Sequence, residues 1–242
     1  MGVECRFRLT IYNIAVFYLL MRHTPQEKLP FPNTWGGRRE GAGRPRSSPW
    51  MPHEPRNAFA SRYPVHVTLK VRPDVPSLRH GKLVREVERS FRKACGQPRF
   101  RVVHYSLQSN HVHLIVEAAG AEDLGRGMKS IGARLARAVN RVFSRKGSVL
   151  ADRFHHRVLK TPREVRHALA YVLLNARRHA GRRASRAGKL DPASSGRWFD
   201  GWRRRGLPAV DPPAVAKPHT WLIRRGWRRH GLIGLTEIPA RG

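Results

Sequence analysis

Acidic side chains and cysteines are what this chain has least of. Only 16 Asp+Glu stand against 48 Lys+Arg, which leaves a formal net charge of +32 at pH 7. Such an excess excludes selective partnership with cationic or neutral surfaces and favours polyanions, held more weakly as salt rises. The two cysteines, Cys5 and Cys95, make neither a disulfide framework nor a cysteine-rich zinc site. That excludes the small stapled secreted class and points to a reducing, intracellular compartment, with the cytoplasm, at the nucleoid, as the expected location. Long apolar runs are missing too. Leu9–Met21 is apolar over 13 residues apart from Thr10 and Asn13, too short for a comfortable membrane span. It resembles a signal-peptide core, but Arg22-His23-Thr24-Pro25 follows where a cleavage site would stand. A third reading starts translation at Met21. No membrane partner is expected. There is also no phosphate-binding Walker loop, dinucleotide fingerprint or zinc-ribbon pattern.

What remains is a basic chain with an ordered middle. Residues 1–62 read as a poorly ordered basic arm, rich in Pro, Gly, Arg and Ser beyond Arg22. Within it, residues 36–46 carry a Gly-Arg-Pro core around Arg44 that resembles an AT-hook, an extended segment that inserts Arg into a narrow minor groove. A solvated basic linker is the alternative. Order begins at Tyr63, and a domain is expected over 63–180. Val65, Val67, Leu69 and Val71 alternate on a half-buried strand. Leu78–Ala94 predicts a helix with Leu83, Val84, Val87 and Phe91 on one stripe. Phe100–Leu107 and His111–Glu117 predict a hairpin around Gln108-Ser109-Asn110. Ala121–Ser144 predicts a long helix, and Val149–Lys160 an irregular strand. Thr161-Pro162-Arg163-Glu164 is a helix start, with Thr as N-cap, Pro at the first position and Glu in the third. That helix runs to about His179. The order β-α-β-β-α-β plus a further helix predicts an α+β fold: a ferredoxin-like antiparallel sheet with helices on one face. Residues 181–242 read as a basic extension whose Trp198, Trp202, Trp221 and Trp227 anchor it to the core or stack on bases.

Two short stretches carry chemistry. His111 and His113 share one face of a strand, because strand side chains alternate with period two. Tyr171 and Asn175, at i and i+4, share one face of a helix. A His-x-His pair on a strand is, taken alone, more commonly surface or core than metal site. A helix tyrosine is more commonly core than nucleophile. Asn175 shifts the balance, since an unpaired amide in an apolar helix is costly but serves as an oxygen ligand beside two imidazoles. A divalent ion there would stabilise charge on a phosphodiester under attack, and a tyrosine oxygen can attack and hold the product covalently. For DNA contact the expected residues are Arg44 in the arm; Arg126, Lys129, Arg134 and Arg137 along the long helix; and Arg153 and Arg157 beside His155-His156. A solvated helix face is the plain alternative for the α-helical row. His104 is expected to be structural.

Asn110-His111-Val112-His113-Leu114-Ile115-Val116 resembles the histidine–hydrophobic–histidine motif of HUH single-strand DNA endonucleases. Tyr171-Val172-Leu173-Leu174-Asn175 resembles the Tyr-Ile-x-x-Asn-Pro segment of single-tyrosine transposases, the IS200-like and REP-associated enzymes in particular, with Ala176 where that segment has Pro. Gly147–Arg166 fits the same group. The resemblance spans Tyr63 to His179. It implies cleavage and strand transfer on single-stranded DNA, usually near hairpins. Mg²⁺ or Mn²⁺ would sit on His111, His113 and Asn175, and Tyr171 would form a 5′-phosphotyrosine link. Imidazoles also suit zinc, so ligand type alone leaves the ion open. Relatives occur as monomers and as dimers, which leaves a homodimer open. Two other readings stand: a non-catalytic nucleic-acid binder of the same fold, and a metal nuclease that uses water.

Overall fold

The structure, a computed structural model, describes residues 56–179, 189–204 and 211–239. The AT-hook-like segment and Arg44 lie outside the described residues. So does the apolar run near the start of the chain.

Five strands form one antiparallel sheet. They are β1 (Val65–Lys70), β2 (Gly96–Gln97), β3 (Phe100–Leu107), β4 (His111–Ala118) and β5 (His155–Val158), in the order β2-β3-β4-β1-β5. β1 pairs antiparallel with both β4 and β5 and so lies inside the sheet, with Thr68 directly opposite His113. β3 and β4 are the expected hairpin. Its register slips between Val102 and His104, a bulge that turns both Val103 and His104 to the same side.

The two sheet faces are covered differently. Val65, Val67, Leu69, Val112, Leu114 and Val116 point to a core shared with α1 (Gly81–Arg92) and α2 (Ala121–Val142). The apolar stripe foreseen for α1, Leu83, Val84, Val87 and Phe91, is buried, and each such side chain contributes roughly 1.5–3 kcal/mol. α2 approaches the sheet closely at Gly127. A Cβ built there would lie 2.2 Å from Cγ of Phe100. Gly127→Ala is therefore expected to cost about 1–3 kcal/mol, as overpacking does, seen as a lower denaturation midpoint with an unchanged denaturant slope.

The third helix, α3 (Pro162–His179), lies on the opposite face. The ferredoxin-like order and its two crossover helices are thus as expected, and the further helix takes the other side. Its start is the expected capping box. Thr161 Oγ1 accepts from Glu164 N at 3.2 Å, and the Glu164 carboxylate accepts from Thr161 N at 3.0 Å and Lys160 N at 2.8 Å. The middle of α3, Ala168–Leu174, is apolar all round, and Val165, Leu169, Val172, Leu173 and Leu174 are buried, the pattern of a helix covered on both sides. One side rests on Val103 and Ile115 of the sheet. The other takes Phe199, Trp202, Leu222, Ile223, Trp227 and Ile233. The described part of the expected extension is therefore core material. It includes the short helix α4 (Trp221–Arg224) and 3₁₀ turns at Ser195–Trp198 and Gly226–His230. Buried Glu117 pins it to β4, accepting from His219 N at 2.8 Å and Thr220 N at 2.6 Å. No helix among the described residues is long and apolar enough to cross a membrane.

Candidate active site

Strand alternation puts His111, His113 and Glu117 on the α3 side of β4, with His66 and Thr68 beside them on β1. The His113 ring is the centre of the group. Its Nε2 lies 3.0 Å from His111 Nε2, and its Nδ1 lies 3.1 Å from Thr68 Oγ1 and 3.2 Å from His66 Nε2. His111 Nδ1 lies 2.8 Å from Asn110 Oδ1 in the turn before the strand. Both imidazoles are therefore tied to the protein through Nδ1, and both aim Nε2 at one point. Tyr171 descends on them from α3. Its ring packs edge-on against His113, with centroids 5.0 Å apart, and against His66 at 5.8 Å. Burial and the nearby Arg157 guanidinium push the His66 pKa down to about 4, so this imidazole stays neutral at pH 7.

Asn175 follows one turn after Tyr171 on the same helix face and is fully buried. Neither its Oδ1 nor its Nδ2 has a hydrogen-bond partner. Buried amides are nearly always paired, and leaving one unpaired costs about 1–3 kcal/mol. The amide is thus a polar group in want of a ligand.

These residues fit a divalent ion. Two nitrogen ligands at right angles on one ion, with bonds of about 2.1 Å, have ends about 3 Å apart, and the His111–His113 Nε2 separation is 3.0 Å. Nδ1 anchoring is the usual support for such a ligand. Among the described residues there is no group of three or more His, Cys, Asp or Glu disposed to hold a metal. Asn175, an amide, is the further residue that could serve as a donor.

Beside Tyr171 opens a cleft of about 300 Å³, walled by His66, Arg157, Arg166, His167 and the late-chain residues Glu237 and Ile238. Arg166 holds that late segment, donating to Gly231 O at 3.0 Å and Glu237 Oε1 at 2.9 Å. Arg157 at the cleft pairs with Glu164 at 3.1 Å. The expected basic row stands elsewhere. Arg126, Lys129, Arg134 and Arg137 ride on α2, across the sheet from His113. Arg126 is engaged by Glu122 and Asp123, and its hydrogen bond and that of Arg99 bring the Asp123 carboxyl down to about 2. Arg153 lies just before β5, its backbone N–H donating to Asp152 Oδ1. His66, Thr68 and Arg166 escaped the sequence reading. The signal for the first two was present, since His66 and Thr68 share the face opposite Val65, Val67 and Leu69.

His104 is structural, as expected. It is buried, faces Phe199 and lies 3.2 Å from Ser195 Oγ. Burial lowers its pKa to about 3. Because the folded value lies below the unfolded value of about 6.5, the unfolded chain binds the extra proton. Stability is then full above pH 6.5 and falls as pH drops towards 3, by up to about 1.4 kcal/mol per pH unit for this one group. Urea midpoints measured from pH 7 to 4 are expected to fall more steeply for the wild-type chain than for His104→Asn, which keeps a hydrogen-bonding group near the Nδ1 position.

Residues 59–160 match the family model described as transposase, IS200-like; the match spans β1 to β5 and ends just before α3. No curated protein matches the chain. Among solved structures, one described as the REP-associated tyrosine transposase bound to a REP hairpin aligns with 53% of this chain and 74% of its own length, at 15% identity and a TM-score of 0.41. Over the segment that carries the histidine pair, this chain is similar to the IS200-like transposases.

Proposed function

We propose that the protein is a transposase that cuts and rejoins single-stranded DNA through Tyr171. The observation that carries this reading is the placement of the Tyr171 ring 5.0 Å from His113, whose Nε2 faces that of His111 at 3.0 Å. A nucleophile and a ligand pair drawn from elements 60 residues apart meet on one surface. Tyr171 Oη attacks the scissile phosphorus and forms an O–P bond. The P–O3′ bond breaks, the phenol gives up its proton to solvent, the leaving oxygen takes one up to become a 3′-OH, and the 5′-phosphate stays on the tyrosine. An incoming 3′-OH reverses the step on another strand, so no external energy source is needed. His111, His113 and Asn175 would hold Mg²⁺ or Mn²⁺, which would supply positive charge to offset that developing on the phosphate. Arg157, at the mouth of the cleft, and Arg153 steady the phosphates on either side. Arg126, Lys129, Arg134 and Arg137 on the far face, and Arg44 in the arm, bind further DNA with little sequence preference. The hairpin-bearing substrate expected from the family resemblance belongs to this reading.

Covalent trapping tests it. End-labelled single strands, including hairpins that flank the protein's own gene, are mixed with the full chain and Mg²⁺ or Mn²⁺ and run on denaturing gels. An ion-dependent adduct on the 5′ end supports the proposal. Cleavage with no adduct shows a nuclease that uses water, and tight binding with neither product shows a non-catalytic binder.

A further inference from the structure

We propose that His66 is a positioning residue of this site, fixing His113 in the tautomer that offers Nε2 to the ion. The inference rests on the reading of His111 and His113 as ligands. A neutral imidazole has one N–H and one lone pair. For His113 to give the Nε2 lone pair, its proton must sit on Nδ1, and that N–H, 5% exposed as a residue, needs an acceptor. Thr68 Oγ1 at 3.1 Å and His66 Nε2 at 3.2 Å, both from β1, are within reach. The strand register supplies them, with Thr68 directly across from His113 and His66 two residues away on the same face. A hydroxyl donates or accepts and so tolerates either tautomer of His113. With its own proton on Nδ1, His66 presents at Nε2 a lone pair that only accepts, and in that tautomer it selects one form of His113. His66 also meets the Tyr171 ring, centroids 5.8 Å apart at 68°. One side chain thus touches both the ligand and the nucleophile, while lying outside the pair that faces across at Nε2. Carboxylates commonly stand behind metal-binding histidines; here the support is another imidazole.

The test uses the full chain titrated with Mn²⁺ alone, without DNA, following the free-ion signal by electron paramagnetic resonance. His66→Phe keeps the ring against Tyr171 and removes the acceptor. His66→Gln places an amide oxygen near the lost Nε2. Expected is a Mn²⁺ affinity lowered by about 10–100-fold in His66→Phe and restored to within a few-fold in His66→Gln, with thermal melts of both close to wild type. DNA cleavage by His66→Phe should recover as Mn²⁺ is raised, because the defect acts through the ion. If His66→Phe binds Mn²⁺ as tightly as wild type while His113→Ala does not, the positioning role is overturned and the ligand pair stands. If His66→Gln is as weak as His66→Phe, ring packing rather than the acceptor matters, and the proposal fails. If wild type itself binds no better than His113→Ala, the ligand reading falls and takes the inference with it.

Discussion

Tyr171→Phe is expected to abolish the covalent adduct and strand transfer while leaving the fold and DNA binding intact. The substitution removes one oxygen. The ring contacts with His113 and His66 at 5.0 and 5.8 Å remain, and the side chain is only half-buried, so the thermal midpoint should move little. Cleavage should drop by at least about 10³-fold, as for other enzymes stripped of their nucleophile. Electrophoretic shift assays should show unchanged affinity with the same salt slope, since that term comes from the basic surface. Retained cleavage by the variant would assign attack to water.

The second large effect is expected at Asn175, and it runs in opposite directions for stability and activity. The amide is fully buried with both polar atoms unpaired, inside a helix otherwise packed with Leu169, Val172 and Leu173. Asn175→Leu replaces it with an apolar side chain of similar size. The ion-free protein should gain about 1–3 kcal/mol, raising the melting temperature by about 3–10 °C. Cleavage at limiting Mn²⁺ should fall by on the order of 10²-fold. Added Mn²⁺ should raise the melting temperature of wild type and not that of the variant. A variant that is both destabilised and fully active would show that the amide is neither strained nor a ligand. Sites that hold function at the expense of stability commonly behave this way.

Much of this was written in local pattern. The β3–β4 hairpin follows from alternation on either side of Gln108-Ser109-Asn110. The start of α3 follows from Thr161 and Glu164, whose reciprocal bonds are purely local. The pairing of His111 with His113 follows from period two. What sequence could not give is which face each helix takes. A stripe such as Leu124, Met128, Ile131 and Leu135 tells which side of α2 meets the sheet, but not which side of the sheet. Hence the arginines of α2 turned out to lie across the sheet from Tyr171. His66 carries no motif and stands 47 residues from His113; only strand register joins them. The tryptophans of the late segment pointed to anchoring without saying what they anchor. Trp202 and Trp227 pack on the outer side of α3, whose apolar middle was the available clue, while Trp198 packs against the other core and Trp221 stays exposed.

The packing of α3 beneath Phe199, Trp202, Leu222, Trp227 and Ile233 sets an order of events at the ribosome. The strand that bears His111 and His113 emerges early and can pair with β3 as it leaves the exit tunnel. The helix that bears Tyr171 emerges next, but the residues that clamp it come later, and it has no bed on its outer side until they are free. A nascent chain therefore carries the histidine pair before it carries a fixed phenol beside it.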